Sequence, residues 1–266
     1  MKKTLLLLLS IATLFSCSDD KKQEQSTNTT TAETLGKTNY ETFKAVEHIK
    51  AESTDSITPA SFSVKIPLYV QPNKVEKRFN ASVLSMFAQD SVQSTADFQM
   101  QMNELLSEYL QTKKEFPEMP GGWYLQNDVE LTYRSEKVWA FTKTTSEFTG
   151  GAHGNYSVTY ANFIPATGKK LTLKEVFKEE FMNKLTELAE KAFREDRNIK
   201  DSSSLQQLGY TFKDGQFQLS ENFLLTDDGI RFFYNAYEVA PYAMGTAKAD
   251  LSLEQIQSGL KYNWIK

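Results

Sequence analysis

Along this chain the period of the apolar positions shifts repeatedly, and each shift marks an element. Between Ser61 and Val70, Phe62, Val64, Ile66 and Leu68 alternate with smaller or polar residues, the two-residue period of a half-buried strand. Pro67 offers no N–H to a ladder, which predicts an edge or terminal strand. After Pro72, Val75, Phe79, Val83 and Phe87 recur every four residues and predict one face of a helix. A second helix is expected from about Asp97 to Lys114, with Phe98, Met102, Leu105, Tyr109 and Leu110 as its stripe. Pro117, Pro120 and Gly121-Gly122 end it. Period two then returns. Val129, Leu131 and Tyr133 share a face, Arg134 to Lys137 reads as a turn, and Val138 to Phe148 as the returning strand. Tyr156, Val158 and Tyr160 begin the next strand, so residues 150–155 lie at a bend of an antiparallel meander.

Further on, Pro165 to Lys169 is a turn leading to a third helix. Thr172 and Glu175 have capping-box spacing, and Phe177, Phe181, Leu185, Leu188 and Ala192 continue as one stripe. Asp201 to Ser204 reads as an exposed loop. Asp214-Gly215 and Thr226-Asp227-Asp228-Gly229 are turn signals between apolar stretches. The second lacks the spaced oxygen ligands of a calcium loop. A short strand is expected near Lys248 to Leu251, and Ser252 is placed to cap a last helix carrying Ile256 and Leu260. These patterns predict an α+β fold: antiparallel β-sheet segments with packed helices, in two closely associated subdomains, 56–155 and 156–266.

The amino terminus changes the picture. Lys2 and Lys3 precede a short apolar core from Leu5 to Leu14, below the ~20 residues of a membrane span, which predicts a cleaved export signal over 1–16. Leu14-Phe15-Ser16-Cys17 resembles a lipobox, so Cys17 is expected to be acylated, palmitate included, and to anchor the chain in membrane lipid. Ser18-Asp19-Asp20 resembles the acidic surface-export signal of Bacteroidota lipoproteins. The expected location is the outer membrane of a Gram-negative bacterium, facing the periplasm or the surface. Cys17 is the only cysteine, which excludes an intramolecular disulfide. Residues 17–55 are polar and predict a flexible tether, with Tyr40, Phe43, Val46 and Ile49 as a short amphipathic turn and His48 solvated within it.

Formal charge is −4, or −6 once Lys2 and Lys3 are removed. With no basic cluster, nucleic acid is excluded as a partner.

Candidate chemistry centres on Phe148-Thr149-Gly150-Gly151-Ala152-His153-Gly154-Asn155, which holds three glycines and one of the chain's two histidines. A neutral histidine can act as a general base, and successive glycine N–H groups can form an anion nest. No serine or cysteine nucleophile is identifiable beside it, and no paired-ligand metal motif occurs, so neither metal nor cofactor is expected. The alternatives are structural glycines with a locally bonded His153, a binding loop, or a cell-wall hydrolase or deacetylase using His153.

Three segments together resemble a known family. They are residues 148–155, then Thr167-Gly168-Lys169-Lys170-Leu171-Thr172-Leu173, then Leu225 to Ile230 running into Tyr237-Glu238-Val239-Ala240-Pro241-Tyr242-Ala243-Met244-Gly245. Their order and spacing resemble the extracytoplasmic region of the lysozyme-sensing anti-sigma factor RsiV. The first half also resembles the non-catalytic amino-terminal domain of the peptidoglycan deacetylase PdaC. The resemblance implies a non-enzymatic envelope protein that recognises a lysozyme-like protein or, second, peptidoglycan or another glycan. It places Tyr237, Glu238, Pro241 and Tyr242, with Gly150, Gly151, His153 and Asn155, as binding candidates. A lipid anchor replaces the membrane span and cytoplasmic segment that sigma-factor control needs.

Overall fold

The structure is a computed structural model and describes residues 45–52, 59–69, 71–90, 92–119 and 121–265. The expected signal segment, Cys17 and the tether up to residue 44 lie outside the described residues. Among the described residues, no helix is long and apolar enough to cross a membrane.

Strand β1, Ala45–Glu52, pairs antiparallel along its length with β2, Ser61–Leu68. The last part of the expected tether is therefore strand, as is the stretch expected to turn at Val46 and Ile49, and His48 stands opposite Lys65. The physical reason is the free edge of β2, whose backbone groups need partners. On its other side β2 runs parallel to β3, Tyr124–Arg134, over Ser61 to Lys65. β2 is thus an inner strand and not the edge or terminal one expected from Pro67, which lies beyond the β3 pairing, where its missing N–H disrupts no ladder with β3.

The parallel pair requires a crossover, supplied by α1, Lys74–Ser85, and α2, Thr95–Glu115. Each begins in a capping box, Asn73 with Glu76 and Ser94 with Asp97, which satisfies orphan N–H groups of the first turn. Phe79, Val83, Phe87, Phe98, Met102 and Tyr109 are buried against one face of the sheet. Val75 and Leu110, expected in the stripes, are exposed instead.

The meander follows as expected, with β4, Trp139–Phe148, and β5, Asn155–Phe163. One detail differs. A bulge between Leu131 and Tyr133 shifts the register, so Val129 and Leu131 face the helices while Tyr133 joins the second core. The division expected between residues 155 and 156 falls inside this sheet. Ala161 and Phe163 of β5 pack into the first core, Val158 and Tyr160 into the second.

That second core gathers α4, Met182–Asp196, and a three-stranded antiparallel sheet of β6, Phe223–Thr226, β7, Gly229–Tyr234, and β8, Ala247–Ser252. Phe193 is its centre, with ring centroids of Tyr210, Phe217, Tyr234 and Phe212 at 5.2 to 5.5 Å. The single third helix expected from Thr172 is two. The capping box starts α3, Leu173–Val176, but the chain turns extended at Phe177, which bridges to Leu260 before α4 begins. Ser252 caps the short α5, Leu253–Ile256, as expected, but Leu260, expected on that helix, lies in extended backbone beyond it.

Among the described residues, the outer edge of β5 pairs with no strand and makes only the single bridge from Phe163 to Lys170. Side-chain amides pair it instead, because an asparagine carries the same donor and acceptor as a peptide group. Asn235 accepts from Val158 N at 2.7 Å and donates to Val158 O at 3.0 Å. Asn222 accepts from Tyr160 N at 2.6 Å and donates to Val158 O at 2.8 Å. Asn162 reaches the other way, donating to Phe223 O at 2.7 Å and accepting from Leu225 N at 2.9 Å. Three asparagines thus join the two sheets without a ladder.

Candidate functional site

The loop between β4 and β5 carries the glycine-rich stretch. Gly150 and Gly151 have φ of 106° and 103°, a left-handed region that side chains rarely adopt. Gly154 is needed for a different reason: a Cβ there would stand 2.4 Å from Tyr124 Oη. Asn155 donates to Glu147 Oε1 at 3.0 Å across the hairpin, which ties the loop's exit to its entrance.

His153 stands exposed on this loop. Its Nδ1 lies 2.8 Å from Gly154 O. A carbonyl only accepts, so in the neutral ring Nδ1 carries the proton and Nε2 is the bare acceptor. Tyr237 Oη, 84 positions later in the chain, donates to that Nε2 at 3.4 Å. The two ring planes are within 20° of parallel. Tyr242 stacks on His153 with centroids 4.0 Å apart and planes 17° apart, and lies 5.3 Å from Tyr237. Its hydroxyl donates to the same Gly154 O at 3.2 Å. Three rings from two distant segments meet at the surface, with Tyr237 62% and Tyr242 37% exposed.

The carboxyl-terminal half presents its two tyrosines by different means. Pro241 opens the 3₁₀ turn Tyr242–Met244, and Arg197 holds the turn's far side through Met244 O at 2.6 Å and Thr246 O at 3.1 Å. Tyr237 sits at φ 68°, left-handed for a bulky residue. Glu238 does not join the ring cluster. Its carboxylate accepts from Asn235 N at 2.8 Å and Ser220 Oγ at 3.4 Å, so it closes the turn that carries Tyr237.

Of the candidates named from sequence, His153, Tyr237 and Tyr242 converge, while Gly150, Gly151, Asn155, Glu238 and Pro241 shape their supports. Sequence reading missed Asn235 and Arg197; the only signal for the first was an asparagine directly after a strand. It also missed a cleft of about 440 Å³ between α2 and β3–β4, lined by Phe98, Met102, Leu105, Leu125, Asn127 and Lys143 among others. Burial there pushes the Lys143 amine down, an effect the Asp90 charge opposes. The three rings of the exposed cluster do not line it.

Among the described residues, no serine or cysteine bonds to the His153 ring, and no three His, Cys, Asp or Glu side chains stand where they could hold a metal.

Residues 53–156 match the family model described as deacetylase PdaC, in line with the resemblance of the first half. Residues 174–254 match the model of a family of unknown function, DUF3298. The fold is similar to two solved structures of that family. One, from Bacteroides fragilis NCTC 9343, has 22% identity and a TM-score of 0.65, over 82% of this chain and 94% of that one. The other, from Pseudomonas aeruginosa PAO1, has 17% identity and a TM-score of 0.59, over 83% and 96%. At these identities the likeness shows a shared α+β fold. No match is found among curated proteins.

Proposed function

We propose that this chain is a non-catalytic recognition module of the bacterial cell envelope, anchored in the outer membrane through acylated Cys17, with a lysozyme-like protein as its partner. The recognition surface is the cluster of His153, Tyr237 and Tyr242. The observation that carries this reading is the cluster itself: distant segments spend positive-φ backbone and several hydrogen bonds on displaying rings to solvent. A fold gains little from exposed rings, whereas an interface gains rigid contact area at low entropic cost. Both His153 nitrogens are engaged locally, which suits a ring held in position for contact.

Two further points support the reading. The segments bearing these rings are those that resemble the lysozyme-sensing region of RsiV, and the PdaC match supports an envelope setting. The lipobox-like Leu14 to Cys17 supports the anchor. A cell-wall glycan is the second reading, because exposed tyrosine rings also suit the C–H faces of sugars. Calorimetric titration of the protein with lysozyme, and separately with soluble peptidoglycan fragments, tests both. Heat with lysozyme that disappears in Tyr242→Ala is the expected result. No heat and no co-elution at micromolar concentration would remove the lysozyme reading.

A further inference from the structure

We propose that Asn235 is the positioning residue of the ring cluster, fastening the turn that bears Tyr237 to the open edge of β5 so that the surface is assembled before any partner arrives. Residues 235–238 form a closed unit. Glu238 N donates to Asn235 O at 3.1 Å, and the Glu238 carboxylate accepts from Asn235 N at 2.8 Å. Closing this unit leaves Tyr237 at φ 68°, a conformation that persists only where the surroundings impose it. The Asn235 side chain then bonds both the N–H and the C=O of Val158. Its backbone sets the turn and its side chain sets the turn's place on the sheet.

The effect of losing it is local. Asn222 still bonds Val158 O and Tyr160 N, so the two sheets stay joined. Tyr242 is held separately, by Gly154 O and by the Arg197-braced turn, and keeps its stack on His153. Only Tyr237 depends on the Asn235 unit. Fixing a contact side chain in advance removes ordering cost from binding, which is the energetic use of such a clamp.

The partner arm of the test rests on the recognition reading above, but the structural arm does not. Full-length protein labelled at histidine and tyrosine gives only two histidine ring systems, and His153→Ala assigns them. In the wild type, cross-relaxation peaks are expected from His153 to both Tyr237 and Tyr242. Asn235→Ala is expected to lose the Tyr237 peaks and keep those of Tyr242. Glu238→Ala, which leaves the β5 bonds untouched, is expected to do the same, and Glu238→Gln to restore them through its remaining carbonyl oxygen. If lysozyme binds the wild type, Asn235→Ala should weaken it roughly tenfold, about 1.4 kcal/mol. Retention of the Tyr237 peaks in Asn235→Ala overturns the proposal, as does joint loss of the Tyr242 peaks in a folded variant. Should Asn235→Ala unfold, Asn235→Asp decides by the same peaks, since its side chain keeps the acceptor for Val158 N and loses the donor to Val158 O. Absence of lysozyme binding to the wild type counts against the recognition reading alone.

Discussion

Replacing Asn162 tests whether side-chain amides hold the two sheets together. Its side chain is buried, 1% exposed, and bonds both Phe223 O and Leu225 N. Alanine would delete both bonds and strand two backbone groups facing the interior. Each backbone group left without its partner costs ~1–3 kcal/mol, about 1.5 where water partly replaces the partner, so a loss of roughly 3 kcal/mol for the pair is expected. For a chain of this size that lowers Tm by about 6–12 °C, readable by calorimetry or urea unfolding. Asn162→Asp separates hydrogen bonding from shape. Its carboxylate can accept from Leu225 N but has no proton for Phe223 O, and burial raises its pKa above the unfolded value. The folded state then binds the extra proton, so this variant should gain stability as pH falls toward that raised pKa, against the usual acid trend. Asn162→Ala costing under about 1 kcal/mol would refute the argument, as would an Asp variant that only weakens on acidification.

Two other outcomes follow from named groups. Asp250 is driven upward by burial, but Arg231, bonded at 2.6 and 2.9 Å, with Lys248 at 3.0 Å, brings its carboxyl net below the usual range. A depressed folded pKa gives stability that is present above the unfolded value near ~4 and lost as pH falls through the folded one, so the stability gap between wild type and Asp250→Asn should close on acidification; a gap constant from pH ~6 to ~2 would contradict this. Cys17→Ser should move the protein from the membrane to the soluble fraction of fractionated cells, and unchanged membrane recovery would remove the proposed anchor.

Much of the fold was legible because periodicity is a local property. The α2 stripe, the meander from β3 to β5, the capping box at Thr172 and the cap at Ser252 each depend on residues a few positions apart. Misreadings occurred where a distant partner intervened. The stripe through Phe177 broke because that residue pairs with Leu260, and Tyr133 left its expected face because of a bulge. The strand at Ala45–Glu52 was hidden in polar sequence because the edge of β2, not its own pattern, makes it a strand.

For the ring cluster, sequence alone determined the ingredients: a glycine-rich bend with one exposed histidine, and a later segment holding two tyrosines and a proline. It could not determine that Tyr242 stacks on His153, that Glu238 turns aside to close a loop, or that Asn235 ties this loop to β5. Side-chain amides standing in for peptide groups leave no period in a sequence, and rings 84 positions apart meet only after both sheets have formed. The tertiary structure decided the site, because the contacts that build it are long-range hydrogen bonds and stacking between segments with no local reason to meet.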